Sequence, residues 1–500
     1  MHRVRITLAG GAIANALTAV TDVRGIYELA GVPAGSYSMT AARAGYLTVQ
    51  YGQRQPREAG RPIEIADRQV VDDLDIALPR AATVSGRLLD ELGEPAAGVR
   101  VEVMDVRYSR GRLQAMQAGA STTNDIGQFR IGGLDPGNYY LRAESIDTWE
   151  SDDGRETYAY AQTFYPGVAA LDQTRSLTVP LGEHLTGLDF HLVPSRAARI
   201  IGTLVSASGE PIVGQRVSLD RIARGVGGGL ASASMGGNAL SGAEGRFVIR
   251  NIPPGEYMLY SGTRETEEAR LQIFVAGADI DGVTLSPRRA TTLAGVVVTE
   301  DGKPADFPAP RVRFSPIAVD EAVQVWGTPP PQSLRPDWTF QIVSIYGRFL
   351  FRLTGLPDGW ALKAVRFGER DVTDAPIDIA AGAGEIALRL VIGRVITRLA
   401  GRTLADPATP HPGGTVVVFS ADSAQWLPGS RFVRATRTGN DGRFEIVGLP
   451  PGAYLAAATD FVMDGAWEDP DFLRSLSARS VKIMLAEGDT TPITLMVSPP

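Results

Sequence analysis

The stretch that decides the fold is Gly442-Arg-Phe-Glu-Ile-Val-Gly-Leu-Pro-Pro-Gly-Ala-Tyr454. It follows Asn440-Asp441, residue types that hydrogen-bond their own backbone and favour turns. Phe444 and Ile446 alternate with polar residues, which is the period of a strand with one buried face. Pro-Pro-Gly then makes a second tight turn, and the next strand opens with an aromatic residue. The stretch therefore predicts two short strands between two defined turns.

This phrase occurs five times, and its copies lie about 100 residues apart. The copy that begins at Gly347 is two residues longer than the others. A repeat of this period is typical of a tandem array of small domains rather than of a solenoid. We expect the glycines of the two turns to be the structural residues of the repeat: Gly25, Gly35, Gly127, Gly137, Gly245, Gly255, Gly347, Gly359, Gly442 and Gly452.

A strand–turn–strand pattern such as Val84–Val103 precedes the phrase from the second copy on, and alternating strands ending near proline close four of the five repeats. Six or seven short strands per repeat predict an all-β chain, a tandem array of five small Greek-key β-sandwiches. One short helix is expected at 469–479. We call the predicted domains units one to five, at residues 1–79, 80–194, 195–288, 289–392 (with an insertion) and 393–500.

Unit one is expected to be incomplete at its N-terminus. Val4–Leu8 matches the second strand of unit two, Val99–Val103, and nothing before it matches Val84–Leu89. A sandwich without its first strand exposes an unpaired edge. The opening residues lead straight into a strand pattern rather than into a signal peptide. We expect either a truncated N-terminus, which the pattern favours, or a strand supplied by another chain.

Composition excludes several functional classes. The 500 residues include no Cys and four His, which removes disulfides, thiolate metal sites and cysteine nucleophiles. A formal net charge of −7 offers no general attraction for nucleic acid. No apolar run approaches the roughly 18–20 residues of a membrane-spanning helix, so no membrane span is expected.

Catalytic and metal chemistry finds little support in the motifs. A zinc carboxypeptidase centre needs His-x-x-Glu and a distant His, a spacing absent at His2, His184, His191 and His411. The repeat turns with Asp22, Asp125 or Asp441 are candidate calcium sites. A calcium ion needs six or more oxygen ligands, whereas each of these turns offers only one or two. We expect no catalytic residue, no cofactor and no metal site, and hence no enzyme.

Aromatic residues in two insertions are the candidate glycan contacts. Trp149, Tyr158 and Tyr160 belong to an insertion of unit two, and Trp326 and Trp338 to one of unit four. Sugars stack on exposed aromatic faces while nearby polar side chains bind their hydroxyls. The alternative is that these aromatics cover the open end of a sandwich or fill a seam between domains.

The two recurrent hairpins resemble the carboxypeptidase regulatory-like domain, a transthyretin-like (prealbumin-like) β-sandwich. The arrangement is also similar to the B-type repeats of bacterial surface proteins and to starch-binding-like folds. The resemblance implies a non-catalytic, extracytoplasmic spacer or binding array with protein or polysaccharide partners at a bacterial cell surface. The alternative is a carbohydrate-binding accessory protein.

Overall fold

The computed structural model describes residues 1–10, 13, 15–53, 60–109, 111–224, 230–262, 267–289, 291–319, 328–357, 359–394, 397–439 and 441–498. Within these ranges the chain is almost entirely β, with 42 strands and one α-helix, α1, Pro470–Ser477. The predicted all-β tandem array with a short helix near the C-terminus is confirmed. None of the helices in the ranges above is long and apolar enough to cross a bilayer.

Unit one contains one five-stranded sheet. Its strands are β1 Arg5–Gly10, β2 Leu17–Val20, β3 Gly35–Ala42, β4 Val49–Gln50 and β5 Ile63–Ile65.

Unit two contains two facing sheets and a small three-stranded sheet at one end. Its strands are β6 Ala82–Leu89, β7 Arg100–Ser109, β8 Arg112–Thr122, β9 Gln128–Leu134, β10 Gly137–Glu144, β11 Thr148–Glu150, β12 Thr157–Tyr160, β13 Thr163–Phe164, β14 Leu177–Val179, β15 His184–Leu185 and β16 Phe190–His191. The next strand, β17 Pro194–Arg196, pairs with β12.

Units three and four each contain two sheets. The strands of unit three are β18 Ala198–Leu204, β19 Arg216–Arg224, β20 Leu230–Leu240, β21 Arg246–Ile252, β22 Gly255–Gly262, β23 Glu267–Val275, β24 Ile280–Leu285 and β25 Arg288–Arg289. Those of unit four are β26 Thr292–Thr299, β27 Arg313–Ala318, β28 Gln332–Ser333, β29 Thr339–Ile342, β30 Gly347–Thr354, β31 Ala361–Phe367, β32 Arg370–Asp371, β33 Ile377–Ile379 and β34 Glu385–Gly393.

Unit five joins its sheets through its last strand, which pairs with both. Its strands are β35 Arg398–Asp406, β36 Thr409–Pro410, β37 Thr415–Ser420, β38 Val433–Arg437, β39 Arg443–Val447, β40 Gly452–Thr459, β41 Val481–Leu485 and β42 Thr490–Ser498. Short 3-10 helices occur in units two to five, at Leu171–Gln173, Ala243–Gly245, Ala309–Arg311, Ser423–Gln425 and Ala466–Glu468.

Units two to five share one plan. In each, one strand, here called the central strand, lies between an antiparallel and a parallel neighbour. The central strands with their antiparallel and parallel neighbours are β6 with β9 and β16, β18 with β21 and β24, β26 with β29 and β34, and β35 with β39 and β42. The apolar residues of the repeated phrase, such as Phe247 and Ile249, lie in the core between the two sheets.

The fourth copy of the phrase is placed differently from the prediction. The strand that pairs antiparallel with the central strand is β29, so Phe340 and Ile342 occupy the positions of Phe444 and Ile446. The strand beginning at Gly347 instead pairs with β27, as the strand beginning at Gly452 pairs with β37. Gly347 therefore stands at the second turn of this unit.

The cause of this shift is Trp338, which stands at the first turn. It adopts φ +64°, in the left-handed region that Gly442 adopts with φ +74° in unit five. Because this turn has tryptophan in place of glycine and no proline precedes Gly347, the sequence does not reveal that β29 and β30 are the two strands of the repeated phrase. Gly359, predicted as the second turn glycine, lies after β30 in the loop before β31, with φ +83°.

Unit one lacks a central strand among the residues that the structure describes. In sequence, residues 26–30 and 74–78 correspond to the antiparallel and parallel neighbours of the central strand in the other units, but they form no strand in unit one. They nevertheless keep an alternating pattern, in which Tyr27, Leu29, Leu74, Ile76 and Leu78 are half-buried against the core of unit one.

Candidate functional site

The tyrosine after the second turn is fixed by one recurrent hydrogen bond. The hydroxyl donates to the backbone carbonyl four residues earlier in four units: Tyr37 to Pro33 at 2.8 Å, Tyr139 to Asp135 at 2.8 Å, Tyr257 to Pro253 at 2.8 Å and Tyr454 to Pro450 at 2.7 Å. Each tyrosine is 1% exposed. Buried hydroxyls require a partner, so this bond closes the turn over the core. The recurrence of tyrosine rather than phenylalanine is the sequence signal that could have revealed it.

The first-turn glycines of units two, three and five lie against the central strands. A Cβ at Gly127 would lie 2.4 Å from the carbonyl oxygen of Leu88, and one at Gly245 would lie 2.2 Å from that of Leu204. Both glycines also have positive φ, at +72° and +69°. The turn therefore needs glycine for its backbone conformation and for the close approach of two backbones.

The turn acids bind their own backbone. Oδ1 of Asp22 accepts hydrogen bonds from the N–H groups of Arg24 and Ile26, and Oδ1 of Asp441 accepts from that of Arg443. In unit two the same role belongs to Asn124, while Asp125 is exposed. This is turn chemistry of the Asx type. Among the described residues no group of three or more His, Asp or Glu side chains is arranged to hold a metal ion.

The histidines are separated from one another. Nε2 of His184 lies 3.0 Å from Oγ of Ser85, and Nε2 of His411 lies 3.0 Å from Oδ1 of Asp460. His191 lies exposed on β16.

The candidate glycan residues of unit two form one aromatic cluster. Trp149 on β11 faces Tyr158 on β12, with stacked rings 5.9 Å apart, and its ring lies 4.8 Å from that of Tyr160. Trp149 and Tyr158 are half-buried, whereas Tyr160 is 9% exposed and donates its hydroxyl to Oε2 of Glu91 at 2.5 Å. Burial and this hydrogen bond both raise the pKa of Tyr160. Trp149 packs against the core of unit two.

The candidates of unit four are not brought to the same place. Trp338 is half-buried, packs against the core of its unit and contacts Phe307 edge-to-face at 5.3 Å. Phe307 also contacts Trp360, over which the guanidinium of Arg394 lies at 4.9 Å. Trp326 lies outside the described residues.

A hydrogen-bonded clamp joins units four and five, and the sequence did not reveal it. Arg431 of unit five donates from Nε and Nη2 to both carboxylate oxygens of Asp374, at 2.8 and 2.7 Å, and from Nη1 to the carbonyl of Leu362 at 3.0 Å. In return, Arg352 of unit four donates to the carbonyl of Gly429 at 3.0 Å. We call Arg352, Asp374, Gly429 and Arg431 the interunit clamp.

Burial lowers the pKa of Arg352 in the clamp to about 10, a shift that nearby Asp374 opposes. Beside the clamp, Nζ of Lys363 in unit four donates to Glu487 of unit five at 2.6 Å.

A second contact joins units two and five. The tip of the β7–β8 hairpin lies on unit five, where Tyr108 packs against a core cluster that includes Leu473 and Leu476 of α1. A Cβ at Gly111 would lie 2.1 Å from the carbonyl oxygen of Glu468, so the two backbones approach closely. Burial and a hydrogen bond to Asp469 raise the pKa of Tyr108.

Comparison with known proteins identifies one part of the chain. Residues 83–193 match the family model of the carboxypeptidase regulatory-like domain. No curated protein matches the chain.

Solved structures with similar chains include bacterial surface proteins. The Bacillus anthracis TIE protein is 10% identical, with 86% of this chain and 75% of that chain covered and a TM-score of 0.18. The RrgB pilus protein of Streptococcus pneumoniae is 11% identical, with 84% and 98% covered and a TM-score of 0.16. The minor pilin GBS52 of Streptococcus agalactiae is 12% identical, with 40% and 96% covered and a TM-score of 0.22. TM-scores and sequence identities this low support no inference about the arrangement or the function of this chain.

The matched residues are those of unit two, from the start of its central strand to the end of its parallel neighbour. Units three to five repeat the central strand of unit two with its one antiparallel and one parallel neighbour. Residues 83–193 of unit two thus match the carboxypeptidase regulatory-like domain, within a tandem array in which units two to five share one plan.

Proposed function

We propose that the chain is a non-catalytic, multidomain structural protein that acts as an extracytoplasmic spacer or binding array. The observation that carries this proposal is the interunit clamp, because a spacer must hold its domains in a fixed relation. The family match of unit two supports a non-catalytic role, and the resemblance of the repeats to surface modules supports the location.

The clamp has the chemistry of a rigid joint. The planar guanidinium of Arg431 meets the Asp374 carboxylate as a two-pronged fork, the geometry that arginine and not lysine provides. Both side chains are mostly buried, at 19% and 27% exposure. Removing one partner of a buried pair leaves the other charge uncompensated, which costs about 3–5 kcal/mol. The two units therefore resist separation more strongly than a flexible linker would.

Small-angle X-ray scattering of the full chain tests this role. We expect Asp374→Ala to increase the radius of gyration and the maximum dimension, because Arg431 and Arg352 lose their shared carboxylate. Asp378→Ala, at the exposed position of β33 in the same unit, is the matched control and should leave both values unchanged. Identical scattering of Asp374→Ala and the wild type would remove the support for the spacer role.

The aromatic cluster of unit two favours carbohydrate binding as a second candidate function. Trp149 and Tyr158 are half-exposed with stacked rings, and the hydroxyl of Tyr158 donates to Oε2 of Glu156 at 3.0 Å. Stacked rings beside carboxylates are a surface on which a sugar ring could stack and hydrogen-bond.

Titration with soluble polysaccharides, followed by tryptophan fluorescence, tests this candidate. Binding at the cluster would change the emission, and Trp149→Ala would abolish affinity. Trp426→Phe is a suitable control, because this buried indole donates to the carbonyl of Ser420 inside unit five. Affinity that survives Trp149→Ala, or no affinity in the wild type, would reject the cluster as a glycan site.

A further inference from the structure

We propose that the outer face of the central strand of unit two, with its two neighbours, binds an acidic saccharide, that is, a sugar residue that carries a carboxylate. The sugar carboxylate would meet the guanidiniums of Arg87 and Arg130, and a sugar hydroxyl would donate to Asp189. We call this surface the arginine face; its residues are Ser85, Arg87, Asn124, Gln128, Arg130 and Asp189. It shares no residue with the interunit clamp or with the aromatic cluster, and it depends on neither proposed role.

Strand register brings the polar side chains of this surface together. In the pairing of β6 with β9, Arg87 lies opposite Gln128 and Ser85 lies opposite Arg130. Asp189 leads into β16, on the other side of the central strand. Alternation along the strands directs all five side chains away from the core, and all but Ser85 are exposed. Two guanidiniums and a carboxylate on three adjacent strands therefore share one face.

The arginine face surrounds an open cavity of about 540 Å³. This volume falls within the range of roughly 300–1,000 Å³ that small-molecule sites occupy. Most side chains around the cavity are charged or carry amide or hydroxyl groups, and Asn124 and Ser121 complete its wall. A site of this composition suits a ligand with many hydroxyls better than an apolar one.

The two guanidiniums have no protein partner. Among the residues that the structure describes, the side chains of Arg87 and Arg130 make no hydrogen bond and no ion pair. Other arginines of the same unit are paired, as Arg142 is with Glu102. A guanidinium binds a carboxylate through two parallel hydrogen bonds, a stronger contact than one between neutral groups. Both side chains can therefore receive an anionic group at the cavity.

The acceptor and the amide of the site are held in place. Oδ1 of Asp189 accepts a hydrogen bond from the backbone N–H of Arg87 at 2.8 Å, which leaves Oδ2 as an acceptor for a ligand hydroxyl. Oδ1 of Asn124 accepts from the backbone N–H of Gln128 at 2.8 Å, and its Nδ2 lies 3.4 Å from Oε1 of Gln128. Nε2 of Gln128 is thereby left as a donor. A simple inorganic anion would use only the donors and would be repelled by Asp189, whereas an acidic sugar uses both.

The other units show that the fold does not require these arginines. The counterparts of Arg87 are Thr203, Val296 and Arg402, and those of Arg130 are Val248, Gln341 and Glu445. Unit five keeps an arginine at the first position but has a glutamate at the second, and Glu445 pairs with Arg398. Two unpaired guanidiniums at this place thus distinguish unit two from units that share its plan.

Isothermal titration calorimetry of the full chain tests the ligand class. We expect the trimer of galacturonic acid to bind saturably, and the neutral galactose trimer of the same linkage to bind at least about tenfold more weakly. Sodium sulfate should also bind at least about tenfold more weakly, because it has no hydroxyl for Asp189. The formal net charge of −7 gives the chain no general attraction for anions, so this affinity must be local. The comparison uses one protein and does not depend on the folding of a variant.

Variants test the location of the site. Arg87→Gln and Arg130→Gln should each weaken binding of the acidic trimer about tenfold, as the loss of a hydrogen-bonded charge implies. Arg246→Gln is the matched control, because Arg246 is exposed on the corresponding strand of unit three and should leave the affinity unchanged. Trp149→Ala should also leave it unchanged, which separates this site from the aromatic cluster. Equal thermal unfolding of all variants establishes that each is folded.

Four results would overturn the proposal. Equal binding of the acidic and neutral trimers would remove the role of the carboxylate, and equal binding of sulfate would show an adventitious ion only. An equal loss in Arg246→Gln would reveal unspecific attraction to arginine. A loss in Trp149→Ala with full affinity in Arg87→Gln and Arg130→Gln would move the binding to the aromatic cluster.

Discussion

At the scale of single residues, the repeat is maintained by two chemical requirements. Glycine is needed where the first turn meets the central strand, and a tyrosine hydroxyl is needed to hold the second turn. Unit four departs from both, with Trp338 at the glycine position and Phe349 at the tyrosine position. The repeat therefore tolerates substitution at a turn when packing such as the contact between Trp338 and Phe307 accompanies it.

Comparing Gly127→Ala with a control separates the two reasons for glycine at the first turn, which are its positive φ and its close approach to the central strand. We expect Gly127→Ala to lower the free energy of unfolding of unit two by about 2–4 kcal/mol, because positive φ and contact with the carbonyl of Leu88 both oppose a Cβ. Gly93→Ala is the matched control: its φ is +85°, and nothing lies within 4 Å of the added Cβ. It should cost only about 1 kcal/mol. Equal losses, measured by native-state hydrogen exchange in unit two, would show that the close approach is unimportant.

Tyr139→Phe tests the recurrent hydroxyl. Removing it leaves the carbonyl of Asp135 without this donor, so we expect a loss of about 1–2 kcal/mol in the stability of unit two. Tyr140→Phe, at the adjacent and more exposed residue of β10, should change stability by less than about 0.5 kcal/mol. If the two variants behave alike in hydrogen exchange, the hydroxyl does not fix the turn.

At the scale of elements, a buried ion pair lies between two strands of unit two. Glu102 on β7 and Arg142 on β10 face each other, are both 4% exposed and are hydrogen-bonded. Burial itself raises the pKa of Glu102, but Arg142 and Arg100 outweigh it and hold the pKa below its ordinary value of 4.5. The charged pair therefore stabilises this part of the sheet near neutral pH.

The stability that Glu102 contributes should depend on pH with a defined sign. Because its folded pKa is lowered, the contribution is complete above about pH 4.5 and is lost as pH falls through the folded pKa. We expect Glu102→Gln to cost about 3–5 kcal/mol at neutral pH, since Arg142 stays buried without a carboxylate. The difference from the wild type should shrink with acidification.

Glu445→Gln is the control for this experiment. Glu445 pairs with Arg398 on the surface, with both side chains nearly half exposed, so its loss should cost less than about 1 kcal/mol. A cost for Glu102→Gln that stays constant from neutral pH to about pH 3 would contradict the assigned role of the carboxylate.

The elements also show how far sequence reasoning reaches. Local patterns such as Phe444-Glu-Ile446 predict strands because alternation and turn chemistry lie within a few residues. The fourth copy was misaligned because Trp338 adopts a glycine conformation, which the residue type does not reveal. The candidate glycan residues could not be placed from the sequence for a similar reason. Trp149 and Tyr158 lie opposite each other because of the register between β11 and β12, which residue types do not reveal.

At the scale of the whole molecule, relations between units escape sequence analysis altogether. Asp374 and Arg431 lie 57 residues apart, in segments between strands that carry no periodic signal. Tyr108 and Asp469 meet only because a hairpin of unit two reaches unit five. A short linker between units, such as Pro194–Arg199, predicts limited hinge motion, but packing decides which surfaces meet.

Distance measurement between units four and five tests the spacer account most directly. The chain contains no Cys, so spin labels can be attached specifically at Ala387→Cys and Thr494→Cys, both on exposed strand positions. Pulsed electron paramagnetic resonance should give one narrow distance distribution that broadens in the Asp374→Ala background. A broad distribution in the labelled chain with Asp374 intact, or one that Asp374→Ala leaves unchanged, would contradict a fixed relation between the units.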